Sequence, residues 1–322
     1  METDAPGRLG TLIVLMICGL LVSRSIAAEK KGKWKIHGSI GLLIVASSTA
    51  LTFFKVEPVA TYHNALVWSG YILLADAIAF LIRGESLLRT HLRSFLYLMA
   101  IAFPIYAIFE AYNALATLGW EYHYSLSHPW GRFILFGWGW IQVVPSLIET
   151  AWWLDALKPF RDDDRPSITI TKRGSAFIAM LGFVMTTVPF LVEREAIVRL
   201  FGSLVYYSFM FVGPAAVVDA SNYLRGKRSF LHDMEEGKWE PLFTFSIGGV
   251  IAGSLWEGWN YQATGRWVYP LLPFQGYKAF ELPLPFFLYY MPFTIGCMAI
   301  VELMTPERLN PFKKVWPRGG NP

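Results

Sequence analysis

The chain has 322 residues, 54% of them hydrophobic, 16% aromatic and only 16% charged. Soluble domains carry about a quarter charged residues, so this balance excludes a water-soluble fold and points to lipid as the solvent. The net charge of +4 sits in short basic clusters between apolar runs, which excludes nucleic acid as a partner, and both cysteines lie inside apolar runs, which excludes a disulfide framework.

Nine apolar runs are each near the length of about 17–25 residues that a helix needs to cross a bilayer. They cover 11–28, 36–54, 63–83, 94–117, 131–157, 174–192, 196–222, 241–260 and 283–304. Backbone groups in hydrocarbon need internal partners, so the runs predict helices. The short alternating segments of a barrel are absent. The first run holds Cys18 and ends on Ser25-Ile26-Ala27, a triplet like a signal-peptidase site. Cleavage there would leave the Lys30–Lys35 cluster on the outer side, so an uncleaved span is expected. The third run carries Asp76, followed by Arg83, and the seventh carries Asp219, followed by Arg225. An arginine two turns on reaches the interface, and both pairs are expected to be structural ion pairs at helix ends.

The fourth run ends in Phe109-Glu110-Ala111-Tyr112-Asn113, and the loop behind it holds Trp120, Glu121, Tyr122, His123, Tyr124, His128 and Trp130. The fifth contains Trp138, Trp140, Glu149, Trp152 and Trp153. The eighth ends in Trp256-Glu257-Gly258-Trp259-Asn260, with Trp267, Tyr269 and Tyr277 behind it, and the ninth, with Cys297, closes near Glu302. Interfacial aromatic girdling accounts for many of these rings without a ligand. His123, His128 and Glu121 form the one histidine-rich loop, and no metal site is expected there. No phosphate-cradling glycine loop, nucleophile elbow or His-Glu-x-x-His helix is visible, so no cofactor is expected.

Of the 28 Lys and Arg, 21 fall in alternate loops and the tail, beginning with Arg24 and Lys30 and ending with Arg318. The positive-inside rule then places the N-terminus outside and the C-terminus in the cytoplasm of a multi-pass, bacterial-type inner (plasma) membrane protein.

The chain also repeats itself. At an offset of 147, Glu110 and Asn113 meet Glu257 and Asn260, Trp120 meets Trp267, Tyr122 meets Tyr269, and Pro145 meets Pro292. Upstream, Asp76-Ala77 echoes in Asp219-Ala220. The expected architecture is all-α: a leading helix in 1–30, a four-span unit in 31–157, a cytoplasmic linker at 158–173, a second four-span unit in 174–304, and a tail at 305–322. Four spans is even, so the units lie parallel about a twofold along the membrane normal. Glu110 and Asn113 share a helix face, as do Glu257 and Asn260. A carboxyl within a span costs about 2.5–3.5 kcal/mol on insertion scales, which marks Glu110 and Glu257, with the deep Glu149, as candidate site residues.

Leu255-Trp256-Glu257-Gly258-Trp259, followed by Gly265-Arg266-Trp267-Val268-Tyr269-Pro270, resembles part of the membrane-integral lycopene cyclase domain. About 30 residues of each unit take part. The resemblance implies a carotenoid cyclase in which two such domains work together. Glu110 and Glu257 stand where that family has Asp. The family's Pro-x-Glu-Glu is replaced by Glu281-Leu282-Pro283-Leu284-Pro285 in one unit and by Ile134 and its neighbours in the other.

Three functions stay open. One is a membrane-embedded enzyme on a lipophilic, isoprenoid-type substrate, with Glu110 or Glu257 as general acid and Asn113, Asn260, Trp120, Trp267, Tyr122, Tyr269 and Glu149 around the ligand. The second is a non-catalytic lipid-binding or assembly subunit, where the same groups join helices. The third is a transporter with its site between the units. The bilayer and a lipophilic small molecule are the partners implied, and the oligomeric state stays open.

Overall fold

A computed structural model describes residues 4–123, 126, 128–160 and 165–310. Tyr124, the middle of the linker and most of the tail lie outside the described residues. Twelve helices run in order: α1 (Ala5–Ala27), α2 (Ile36–Phe53), α3 (Val59–Arg83), α4 (Leu87–Thr90), α5 (Leu92–Tyr112), α6 (Pro129–Ala156), α7 (Lys172–Leu191), α8 (Arg194–Phe201), α9 (Ser203–Leu224), α10 (Phe230–Glu235), α11 (Glu240–Gln262) and α12 (Tyr290–Met304). Eight segments among the described residues are long and apolar enough to cross a membrane, and the chain is an all-α bundle with lipid-type surfaces. Leu43, Phe53 and Leu191 show the outward apolar character that suits acyl chains.

The apolar run 241–260 becomes α11, which has crossing length but is not among those eight. Gly248, Gly249, Gly253 and Gly258, with Glu257 and two tryptophans, dilute its apolarity. That composition suits a helix packed against other helices, and α11 lies against α1, α6 and α12. The run 196–222 is not one helix. Gly202, at φ +83°, breaks it into the short amphipathic α8 and the long α9.

Two packing arrangements recur. α2 lies along α3, α3 on α6 and α6 on α5; α7 lies along α9, α9 on α12 and α12 on α11. Glycines permit the closest of these approaches. A Cβ on Gly41 would lie 2.5 Å from the Gly70 carbonyl oxygen, and one on Gly182 would lie 2.8 Å from that of Gly213. Gly41→Val is therefore expected to lower unfolding stability in detergent by about 1–3 kcal/mol through overpacking, as read from the thermal midpoint. An unchanged midpoint would mean that α2 and α3 separate freely.

Two short loop strands meet at one end of the bundle. β1 (Glu121–His123) pairs antiparallel with β2 (Arg266–Val268), placing Glu121 opposite Val268 and Tyr122 opposite Trp267. Positions 121 and 268 differ by the repeat offset of 147. A strand pair that matches a position with its own equivalent is self-complementary, as a twofold requires. A second pair, β3 (Lys278–Ala279) with β4 (Leu282–Pro283), shapes the loop before α12.

At the other end, Asp76 and Asp219 do not form the expected ion pairs with Arg83 and Arg225. Arg83 pairs with Asp155 instead. Gly84 and Gly226 turn the chain at φ +82° and +66°, and a serine-capped short helix follows each turn. Those helices present backbone N–H groups to the carboxylates. Leu88 N donates to Asp76 at 2.8 Å, and Phe230 N and Leu231 N donate to Asp219 at 2.8 and 3.0 Å. Helix N-termini are natural carboxylate partners, and their obligatory donors win here over a distant side chain.

Candidate functional site

The two Glu/Asn pairs sit at the ends of α5 and α11 that bear β1 and β2. Each asparagine clasps the loop that follows it. Asn260 Nδ2 donates to the Trp267 carbonyl at 2.8 Å, and Trp267 N donates back to Asn260 Oδ1 at 3.0 Å. Asn113 makes the same clasp on Trp120, at 2.8 and 3.2 Å, and also accepts from Gly119 N at 2.6 Å. α5 reaches this point through a π-helical turn, Asn113–Thr117, and Leu118 follows at φ +47°. The asparagines are thus positioning residues, and neither lines a cavity.

The loops they hold carry the tyrosines that reach back to the carboxyls. Tyr269 Oη donates to Glu257 Oε1 at 2.6 Å, and Tyr290 Oη, from α12, donates to the same oxygen at 2.7 Å. Trp267 Nε1 lies 2.8 Å from Tyr269 Oη and 3.4 Å from Glu257 Oε1. Glu257 is wholly buried, and its second oxygen, Oε2, has no hydrogen-bond partner. In the other half, Tyr122 Oη donates to Glu110 Oε1, and Tyr106 and Trp120 lie beside that carboxyl. Burial pushes the loop phenols Tyr122 and Tyr269 well above the ordinary tyrosine range. Both therefore keep their protons and act as donors.

Between the two carboxyls lies an aromatic cavity of about 90 Å³. Trp120, Tyr122, Trp267 and Tyr269, all singled out by the sequence, line it. Tyr106 and Tyr290, which sequence reasoning passed over, line it too, with Trp256 from the recurring Trp256-Glu257 stretch. A second cavity, of about 60 Å³, opens towards α3 and α6 beside Trp140. Tyr106, Tyr122, Trp256 and Trp267 wall both, so the two spaces are separated by one layer of rings. Trp256 stands edge-on to Trp267 and to Trp68, with centroids 5.8 and 5.6 Å apart. The volume exceeds what a few waters need, and the walls offer few polar partners for them. The space suits an apolar ligand, and its π faces favour positive charge developing on it.

The remaining candidates lie apart. Glu149 lines neither cavity. Trp138 Nε1 donates to Ser69 Oγ at 3.1 Å, Trp152 and Trp153 are buried packing residues, and Trp130 is exposed. His123 pairs with Glu121 at 3.1 Å, and His128 accepts from Trp130 N at 3.3 Å. No group of three His, Cys, Asp or Glu among the described residues could hold a metal ion.

Tyr106 and Tyr290 could not be found by the repeat, because neither recurs. The offset places Gly253 opposite Tyr106 and Val143 opposite Tyr290. Gly253 is the one trace: the Tyr290 ring occupies the space a Cβ there would need. The two halves therefore supply their second tyrosine from different helices, α5 for Glu110 and α12 for Glu257.

No protein-family model matches the sequence, and comparison with curated proteins and with solved structures finds no match either.

Proposed function

We propose that the chain is a membrane-embedded enzyme acting on a lipophilic, isoprenoid-type ligand held in the aromatic cavity, with Glu257 as the source of the proton. Glu257 carries this reading: a wholly buried carboxyl with one oxygen unpartnered, holding two tyrosines that face an apolar cavity. An intramembrane carboxyl is expensive and is kept where it works. A tyrosine hydroxyl turns from the carboxyl to a ligand double bond, gives its proton there and takes the Glu257 proton in exchange. The positive charge left on carbon lies against tryptophan and tyrosine faces, and the carboxylate recovers a proton when the product loses one. The resemblance to the carotenoid cyclase domain points to the same substrate class.

In this reading the chain has nine spans: a leading helix, then two parallel four-span units over 31–157 and 174–304. The matched asparagine clasps and the self-complementary β1–β2 register support that plan. The basic loops lie in the cytoplasm, and the paired carboxyls lie towards the outer face of a plasma membrane.

The test compares lipid extracts from membranes carrying wild type or Glu257→Gln, resolved by chromatography. Glu257→Gln keeps an acceptor for both tyrosines, so it is expected to accumulate normally and to abolish product formation. Undiminished product would overturn the reading. It would favour a non-catalytic lipid-binding or assembly subunit instead, which the satisfied asparagine clasps also suit.

A further inference from the structure

A buried carboxyl away from the aromatic cavity has no part in that chemistry. Glu149, on α6, has no exposed surface, and neither of its oxygens meets a donor group; its polar neighbour is the Asp76 carboxyl. It does not recur in the second half, where the offset of 147 places Gly296. A fold has no structural use for such a group, since an apolar side chain of similar size would pack there without stranding two polar atoms.

Its surroundings are specific. Asp76, on α3, is the charged group whose field acts on Glu149. Tyr71, also on α3, lies near it, with its hydroxyl 2.7 Å from Thr150 Oγ1. Cys18, on α1, also neighbours Tyr71. On α5 and just before it, Tyr97 donates to the Met304 carbonyl and His91 packs on Trp152, while Arg93 stands in the first turn. Arg83 is engaged by Asp155. Between Glu240 and Glu257, α11 has no ionisable residue, and between Tyr290 and Glu302, α12 has only Cys297. Among the described residues, Asp76 is the charged side chain that acts on Glu149, and no lysine or arginine stands against its carboxyl.

Asp76 links this pocket to the surface. Its Oδ2 accepts from Ser86 Oγ at 2.9 Å and lies 2.9 Å from His37 Nε2. The His37 side chain is 18% exposed, at the end of the bundle that carries the Lys30–Lys35 cluster. The chain of groups thus runs from the surface through His37 and Asp76 to Glu149. Two carboxylates side by side in a dry interior repel strongly, and a proton on Glu149 removes that repulsion. Two neighbouring carboxyls can share one proton in a hydrogen bond between them, and a proton is the ligand these atoms fit.

We propose that Glu149 is a proton-binding site, loaded from the lysine-rich end of the bundle through His37 and Asp76. It is separate from the chemistry assigned to Glu257 and stands or falls without it. His37 is the entry, since one ring nitrogen can take a proton while the other gives one up. Asp76, fixed by the α4 N-terminus, passes the proton inward.

The test is infrared difference spectroscopy of the full chain in lipid nanodiscs at neutral pH, wild type against Glu149→Gln. Wild type is expected to show a carboxylic-acid carbonyl stretch that shifts in deuterium oxide and vanishes in the variant. If Glu149→Gln does not accumulate, Glu149→Asp keeps the acid and moves the band. Loss of a carboxylate band instead, or no acid band that moves, overturns the assignment. Removal of the band by sodium ions at fixed pH would mark a cation site and overturn it equally. His37→Phe is expected to slow deuterium exchange of the band by about a hundredfold, the low end of what a positioned acid–base group contributes to proton transfer. An unchanged exchange rate would overturn the route through His37.

Discussion

Glu257→Leu is expected to destabilise the folded chain by about 2–5 kcal/mol, while Glu257→Gln stays within about 1 kcal/mol of wild type. The difference follows from what each leaves behind. Tyr269 and Tyr290 donate to the same carboxyl oxygen at 2.6 and 2.7 Å, deep in the bundle. Leucine fills the volume but strands two phenol hydroxyls that no water reaches, and a buried donor left unmade costs about 1–3 kcal/mol. Glutamine keeps an acceptor in place. The cause can be isolated by removing both sides: Glu257→Leu combined with Tyr269→Phe and Tyr290→Phe is expected to recover part of the loss, because both phenol hydroxyls are gone and the Trp267 indole N–H is the one donor left without its acceptors. Thermal unfolding of wild type and the three variants in one detergent reads the series. If the triple variant is no better than Glu257→Leu alone, the cost comes from packing and the hydroxyl network is not what holds α12 to α11.

How much of this could be read from the chain differs between its levels. The helical spans were legible because hydropathy and backbone satisfaction in lipid leave one solution, and α2, α3 and α7 begin and end within a few residues of the apolar runs. The break at Gly202 was not, since a single glycine in an apolar run does not announce a left-handed turn. The roles of Asp76 and Asp219 were misread for a related reason. Charge spacing suggested Arg83 and Arg225 as partners, whereas Ser86 and Ser229, three residues ahead of Arg89 N and His232 N, are helix caps that mark where donors converge. At the site, the repeat exposed each residue that recurs: both Glu, both Asn, and the Trp and Tyr that follow them. It was blind to Tyr106 and Tyr290, which complete the two carboxyl shells from non-equivalent helices. The placement of Tyr290 depends on how α12 packs against α11 at Gly253, a long-range contact with no local signature. Composition could show that aromatic rings are abundant; only the fold shows which of them face each other across a cavity.

Asn260→Leu is expected to remove about 2–4 kcal/mol of stability and, with it, ligand binding in the aromatic cavity. Leucine has the asparagine's branched shape and number of side-chain heavy atoms, so α11 itself should persist. What it loses is the clasp: the Trp267 carbonyl gives up its 2.8 Å donor, and the Trp267 N–H gives up its 3.0 Å acceptor. The side chain that spans seven residues of loop is the local tie that fixes β2, and β2 in turn pairs with β1. Freed from it, Trp267 and Tyr269 leave the cavity wall, and Glu257 loses a donor without being touched. The variant should therefore resemble a site lesion in binding while its damage lies in the loop. Asn113→Leu supplies the control, because the same clasp acts there on Trp120, with Gly119 N as an added tie at 2.6 Å. Thermal unfolding and quenching of tryptophan fluorescence by a bound apolar polyene measure the two effects together. If Asn260→Leu binds the polyene as wild type does, the loop is held by β1–β2 pairing alone, and the recurrence of asparagine at 113 and 260 has another cause.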